Sequence, residues 1–104
     1  MVRHIVMWRV HGDSAAERKA ACDRVRNAFE SLRGRIPGMT RLEIGLDVSG
    51  VDHACDIVLV SDFDSRGALA AYATHPEHLR VRDELEGVRI ARHQVDYLFA
   101  DEPG

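Results

Sequence analysis

Three side chains that can transfer protons or donate hydrogen bonds lie around one proline, within residues 71–78 of the sequence. They are Tyr72, His75 and His78. An imidazole titrates near neutrality and a phenol can polarise a carbonyl group, so the cluster has the residue types for acid–base chemistry. Pro76 disfavours helical backbone at the residue before it and is itself favoured at a first helical position. The sequence therefore predicts that one helix ends near Tyr72 and that another begins at Pro76.

Each of these side chains also has a purely structural interpretation. His78 is either a general base in a ligand pocket or a first-turn histidine that fixes a junction by hydrogen bonding. His75 is a candidate ligand-binding residue, but its place before a proline favours a role as the cap of the next helix. Tyr72 is either a donor to a developing oxyanion or a core aromatic whose hydroxyl finds a backbone partner. The sequence leaves these alternatives open.

The composition limits the class of protein. The 104 residues fit one domain, and a hydrophobic content of 45% is sufficient for a core. We interpret residues 1–100 as that domain and 101–104 as a polar tail. A net charge of −3 without a basic stripe argues against a nucleic-acid partner. The absence of a signal peptide and of a long apolar run favours a cytoplasmic protein without a membrane span, and the preference for Arg over Lys suggests a bacterial source.

Apolar periodicity predicts the order of the elements. Strands are expected at 2–10, 40–48, 54–63 and 88–99, and helices at 14–33, 65–72 and 76–85. Ser14 and Glu17 form a capping box at the start of the first helix. The βαββαβ order predicts an α+β, ferredoxin-like fold, a four-stranded antiparallel sheet with helices on one face. In that topology the first and third strands are central, and these two strands carry apolar residues on both faces.

The sheet face away from the helices is predicted to be apolar. Its central residues are Ile5, Met7, Val58 and Val60. Two helices can cover only one face of the sheet, so a lone subunit would expose this surface to water. A two-fold pairing of sheet faces is the simplest closed arrangement that covers it. We therefore expect a homodimer that forms through the sheet faces.

Four segments resemble the stress-responsive dimeric α/β-barrel (Dabb) domain family. They are Arg3-His4-Ile5-Val6, Ile36-Pro37-Gly38-Met39, residues 72–78 and Asp96-Tyr97. The resemblance implies a homodimer in which two ferredoxin-like sheets form one barrel with the helices outside. Members of the family include stress-associated proteins and plant cyclases of the olivetolic acid type. Those cyclases close a linear polyketide by aldol condensation, with a histidine and a tyrosine and without a metal or cofactor.

The resemblance also assigns candidate roles, position by position. It implies that His78 is the acid–base group, that Tyr72 is the cyclase's tyrosine and acts as a hydrogen-bond donor, and that His4 is a pocket histidine on the first strand. The candidate ligand-binding residues are Trp8, Val25, Phe29, His75 and Leu79.

The sequence departs from the cyclase pattern at the expected pocket. Ile57 stands where the cyclase has a further pocket histidine, and Val25 and Phe29 replace the aromatic residues that shape its alkyl tunnel. Arg92 and Gln94 stand at apolar positions of the cyclase's last strand. These departures predict a different or smaller ligand and a cavity that is more polar or smaller.

No metal or cofactor is expected. His75 and His78 are separated by a proline-led turn, and no third ligand follows at a spacing typical of zinc or copper sites. His4 by itself is typical of a core histidine with satisfied hydrogen bonds.

Three functional hypotheses remain from the sequence. The first is a cofactor-independent enzyme or binding protein for a small, partly apolar carbonyl compound, with aldol-type cyclisation or isomerisation as the chemistry. The second is a non-enzymatic, stress-associated dimer with no active pocket, and the third is a cofactor-free monooxygenase on the same barrel. An open cavity at His78 and Tyr72 would favour the first hypothesis. A space filled by Leu79, Phe29 and Trp8 would favour the second.

Overall fold

A computed structural model describes residues 1–100 and shows one antiparallel sheet with helices packed on one face. The predicted tail at 101–104 lies outside the described residues. The strands are β1 (Val2–Val10), β2 (Met39–Leu46), β3 (Ile57–Phe63) and β4 (Arg89–Leu98), and the helices are α1 (Ala15–Glu30), α2 (Arg66–Ala73) and α3 (Pro76–Glu84). The strand order β2-β3-β1-β4 places β1 and β3 in the centre. The predicted ferredoxin-like fold is confirmed.

The first helix begins as predicted and ends three residues early. The Ser14 Oγ accepts a hydrogen bond from the Glu17 backbone N–H at 3.1 Å, which is the expected cap. After Glu30 the chain tightens into turns, because the Leu32 N–H bonds to the Phe29 carbonyl at 3.0 Å instead of continuing the helical pattern. Leu32 is nevertheless fully buried, so its helical spacing extended the predicted helix beyond the real one.

The side chains of β1 alternate between two environments. Val6 and Trp8 face the helices and are almost fully buried, whereas Met7 between them lies on the opposite face and is 36% exposed. We call the two sides of the sheet the helix-side face and the outer face. The apolar residues of the outer face, here named the outer patch, are Ile5, Met7, Val58, Val60 and Val95.

The pairing of β1 with β4 contains one irregularity. Trp8 pairs with Arg92 and Arg9 pairs with Ala91, but Val10 pairs with Arg89, so Ile90 is an extra residue on β4. Because β4 is an edge strand and the helices lie mostly over the other three, its helix-side residues border open space. This space becomes the cavity described below.

The junction between α2 and α3 has the predicted form. Pro76 is the first residue of α3, and His75 is its N-cap, with extended backbone. The side chain of Val81 is fully buried and Leu85 is 2% exposed. Leu79, a candidate ligand-binding residue, does not share this inner side. Leu79 lies two residues before Val81, about 200° around the helix, and is 38% exposed.

Gly38 allows β2 and α2 to approach each other closely. Its φ is +81°, and a Cβ atom at this position would lie 2.7 Å from the Cβ of Ala68. The Gly38 carbonyl also accepts a hydrogen bond from the Asp64 N–H at 2.9 Å. These contacts fix the start of the segment that carries Tyr72. No helix within residues 1–100 is long and apolar enough to span a membrane.

Candidate functional site

A cavity of about 580 Å³ lies between the helices and the helix-side face of β1 and β4. This volume is in the usual range for sites that hold small molecules. Five of the residues predicted as catalytic or ligand-binding line it: His4, Trp8, Phe29, Tyr72 and His78. His4 and His78, which are more than seventy positions apart in the sequence, therefore line the same cavity.

His78 is fixed in a defined orientation in the first turn of α3. Its Nδ1 lies 3.1 Å from the Ala73 carbonyl oxygen at the end of α2. A carbonyl oxygen only accepts hydrogen bonds, so this contact assigns the hydrogen to Nδ1 and leaves Nε2 as the basic nitrogen of the neutral ring. Burial lowers the pKa of His78 below its ordinary value, and the charges of Arg82 and Arg89 act in the same direction. The imidazole is therefore held as a neutral base near pH 7.

Tyr72 lies against His78, with the two ring centroids 4.4 Å apart. The residue is 3% exposed, and its hydroxyl oxygen is buried without a hydrogen-bond partner in the part of the chain that the structure describes. Burial raises the pKa of the phenol well above its ordinary value, so the hydroxyl stays protonated. A buried donor without a partner is uncommon in folded proteins, and this hydroxyl keeps its hydrogen free to donate.

His4 and Asp96 form a short cross-strand pair beside Tyr72. The His4 Nδ1 lies 2.5 Å from an Asp96 carboxylate oxygen, and the Gln94 amide donates to the other oxygen at 2.9 Å. Because the carboxylate accepts, the His4 Nδ1 carries the hydrogen. Ser61, the residue opposite His4 on β3, has a second buried hydroxyl without a partner among residues 1–100.

An aromatic wall continues the cavity away from the histidines. The rings of Trp8 and Phe29 stack with centroids 5.1 Å apart and an interplanar angle of 19°. The Arg89 guanidinium lies over both rings, 5.1 Å from the Trp8 centroid and 5.8 Å from that of Phe29. Trp8 and Phe29 are also 3% and 2% exposed, so both serve as core residues and as cavity wall.

Three arginines line the same cavity: Arg82, Arg89 and Arg92. Of these, Arg92 was predicted from the sequence as a polar departure, whereas Arg82 and Arg89 were not predicted. Arg82 had a usable signal, since it follows His78 by four residues and so shares its helix face. Arg89 had no such signal in the sequence, because the face to which its side chain points depends on the extra residue in β4.

The remaining predicted site residues lie elsewhere. Val25 is fully buried in the core, and Leu79 is on the surface. His75 accepts a hydrogen bond from the Glu77 N–H at its Nδ1, 3.1 Å away, which is the capping alternative. None of the three lines the cavity. Within residues 1–100, no group of three or more His, Cys, Asp or Glu side chains is placed to hold a metal ion.

Comparisons with known proteins agree with this architecture. The family model described as the stress responsive A/B barrel domain matches residues 2–99. A dimeric protein of unknown function with a ferredoxin-like fold from Bacteroides fragilis is 31% identical, with a TM-score of 0.82 over 94% of this chain and 95% of that one. A comparison with curated proteins found no match.

Two more distant structures share the fold alone. A dimeric ferredoxin-like protein of unknown function from Thermobifida fusca is 22% identical, with a TM-score of 0.79 over 94% of this chain and 90% of that one. The hydroxynitrile lyase from Passiflora edulis is 18% identical, with a TM-score of 0.77 over 96% of this chain and 94% of the lyase.

Proposed function

Because the chain belongs to the stress-responsive A/B barrel domain family, we propose that its cavity binds a small, partly apolar carbonyl compound. We further propose that His78 removes a proton from the carbon next to the carbonyl group. One observation carries the proposal: the bond from the His78 Nδ1 to the Ala73 carbonyl leaves a basic Nε2 on a ring that borders the cavity, beside an unpartnered tyrosine hydroxyl. A neutral imidazole near pH 7 is matched to this task.

The proton transfer uses only groups of this chain. The His78 Nε2 takes the proton, the C–H electron pair moves to form an enolate, and the ring becomes an imidazolium. The Tyr72 hydroxyl donates a hydrogen bond to the enolate oxygen, which gives that buried hydroxyl the partner it lacks. Since the hydroxyl is closed to solvent, the Tyr72 and His78 rings must part slightly to admit the oxygen.

Two outcomes complete the reaction. If the same ligand carries a second carbonyl group, the enolate carbon attacks it, a C–C bond forms, and the imidazolium of His78 returns its proton to the new alkoxide. This is an aldol-type cyclisation of the kind that the plant cyclases of the family perform. Without a second carbonyl group, a ligand whose enolate is conjugated with a C=C bond takes the proton back at the far carbon of that bond, and the double bond moves, which is an isomerisation. In both outcomes His78 ends neutral, so no cofactor is consumed.

His4 is a positioning residue in this scheme. Its ring centroid is 6.4 Å from that of Tyr72, and the bond to Asp96 fixes the direction of its imidazole. The pair supports the wall against which Tyr72 packs.

We also propose that the protein is a homodimer joined through the outer patch. The similar proteins from Bacteroides fragilis and Thermobifida fusca are described as dimeric. Met7 and Val95 are 36% and 61% exposed in the single chain, and they belong to a continuous apolar surface. Covering this surface with its two-fold copy removes apolar area from water and leaves the cavity on the opposite face.

The experiment for the catalytic proposal measures proton exchange directly. Phenylacetone in D₂O would be incubated with the protein, and loss of its CH₂ proton signals would be followed by NMR. We expect acceleration over buffer, and we expect His78→Gln to reduce that acceleration by roughly 100- to 10,000-fold, the usual contribution of a general base. His53→Gln, a change at an exposed histidine outside the cavity, is the matched control.

Thermal denaturation accompanies the rate measurement, since a misfolded variant would also be inactive. Equal exchange rates for the wild-type protein and a folded His78→Gln variant would contradict the proposal. Exchange at the buffer rate for the wild-type protein would contradict it as well.

A further inference from the structure

We infer that the compound bound in the cavity carries a carboxylate, and that Arg82, Arg89 and Arg92 bind this group. The inference deepens the proposed function and rests on it for the carbonyl end of the ligand. Arg89 and Arg92 lie on β4, Arg82 lies on α3 one turn after His78, and Tyr72 and His78 lie at the α2–α3 junction.

The three arginines of the cavity lack counterions among residues 1–100. Of the fourteen Lys and Arg residues, ten form an ion pair with a carboxylate or donate to a backbone carbonyl within the described part of the chain. Four have no such partner there: Arg66, Arg82, Arg89 and Arg92. Three of these four line one cavity.

The partial burial of Arg89 supports the same inference. Arg89 is only partly exposed, and its pKa is lowered by burial and by the neighbouring charge of Arg92. A guanidinium removed from water without an anion is unfavourable, and a like charge beside it adds repulsion. A bound carboxylate would relieve both effects, because its two oxygens match the forked N–H groups of an arginine.

An apolar wall of the cavity indicates the nature of the rest of the ligand. Trp8 and Phe29 line the cavity with almost fully buried rings, and Arg89 lies over both of them. A ligand with a short apolar body can contact this lining and still place its charge at the arginines and its carbonyl group at Tyr72 and His78, all within the one cavity. The indicated ligand class is therefore an aromatic or short alkyl keto acid.

The test compares two probes of nearly equal shape, benzoate and benzamide. Trp8 is the only tryptophan of the chain and lines the cavity, so its fluorescence reports binding. We expect benzoate to bind at least about tenfold more tightly than benzamide, the effect of one charge-assisted hydrogen bond. Arg89→Gln and Arg92→Gln should each remove most of this preference. Arg66→Gln, which changes an equally unpartnered arginine outside the cavity, should leave it intact.

The variants separate this inference from the proposed function. Arg92 is exposed, so Arg92→Gln should fold even if Arg89→Gln does not. His78→Gln should still prefer benzoate, since it leaves the arginines in place. Equal binding of the two probes, no benzoate binding at millimolar concentration, tighter binding of inorganic phosphate than of benzoate, or wild-type preference in Arg92→Gln would each overturn the inference. Phenylacetone exchange would then still decide the catalytic proposal, because phenylacetone has no carboxylate.

Discussion

The two faces of the sheet differ in whether their polar groups have hydrogen-bonding or ionic partners. On the outer face, the Arg3 guanidinium donates two hydrogen bonds to Asp62, at 2.8 and 3.0 Å, and these bonds raise its pKa. On the helix-side face, Arg89 has no anionic partner within residues 1–100, and burial lowers its pKa. Tyr72 and Ser61 on that side also have buried hydroxyls without partners among residues 1–100. Apart from the His4–Asp96 pair, the helix-side face therefore keeps polar groups open, whereas the outer face pairs its half-buried guanidinium with a carboxylate.

The apolar groups show the reverse difference. The helix-side face packs its aliphatic and aromatic residues into the core, whereas the outer face leaves Met7 and Val95 in contact with water. An exposed apolar surface is typical of a contact with another protein. Buried polar groups without partners are candidates for hydrogen bonds to a small polar ligand. The difference therefore supports the proposed subunit interface on the outer face and the proposed ligand site on the helix-side face.

The largest expected effect is at the proposed interface. Met7→Asp would place a carboxylate at the centre of the outer patch, and a two-fold axis would place it there twice. We expect the dimer dissociation constant to rise by roughly a hundredfold or more, because like charges in an interface cost several kcal/mol. Light scattering would follow the change from twice the 11.7 kDa chain mass to the chain mass itself.

Val48→Asp is the control for this experiment. Val48 is fully exposed and lies outside the sheet, so a new carboxylate there should leave the mass unchanged. A wild-type protein that already scatters light as a single 11.7 kDa chain would contradict the proposed interface.

A smaller effect is expected at the helix-side face. Tyr72→Phe removes a buried hydroxyl that has no partner in the described structure, so the free energy of unfolding should stay the same or rise. Exchange of phenylacetone should fall about tenfold, the worth of one hydrogen bond. Calorimetry and the NMR exchange assay measure the two quantities.

Tyr97→Phe provides the comparison on the outer face. The Tyr97 hydroxyl accepts a hydrogen bond from Arg3 at 3.4 Å and lies away from the cavity, so its loss should leave exchange unaffected. Equal effects of the two tyrosine changes on exchange would show that the faces are not functionally distinct.

The smallest expected effect is a pKa shift of His78. Burial places its folded pKa below the unfolded value of about 6.5. The contribution of this group to stability is therefore present above pH 6.5 and is lost as the pH falls through the folded pKa. The catalytic rate should decline over the same acidic range, because the protonated ring is no longer a base.

Benzoate should raise this pKa, since a carboxylate at Arg82 and Arg89 would offset the two charges that help to lower it. An NMR titration of the His78 ring protons, with and without benzoate, measures both values. A pKa at or above 6.5 in the free protein, or a decrease on binding, would contradict the assignment.

Much of the fold could be predicted because the patterns have a direct physical cause. Residues of β1 and β3 are apolar on both faces, and only central strands need such residues. The break at Pro76 follows from the geometry of one ring. The ends of elements were less accurate, as at Leu32, because a tight turn can bury a side chain as well as a helix can.

The residues of the candidate site were also only partly predictable from the sequence. His4, Tyr72 and His78 could be found because alternation and the proline break place them on the inner side. Arg89 could not, since residues three apart in a regular strand point to opposite faces, and Arg92 already occupied the helix-side face. The extra residue in β4 turns Arg89 to the same face as Arg92, and no local sequence pattern predicts that extra residue.

The contact between His4 and Asp96 joins positions 92 residues apart, whereas Tyr72 and His78 are brought together by a bend only six residues long. Short segments close quickly during folding, and distant ones meet late. The proposed proton-transfer pair can therefore form as soon as its two helices do, together with Arg82 on α3, but Arg89 and Arg92 join the cavity only after the final strand has docked along the first. A nascent or partly opened chain would hold its proposed base and donor ready while still lacking two of the three arginines that we infer retain a charged ligand.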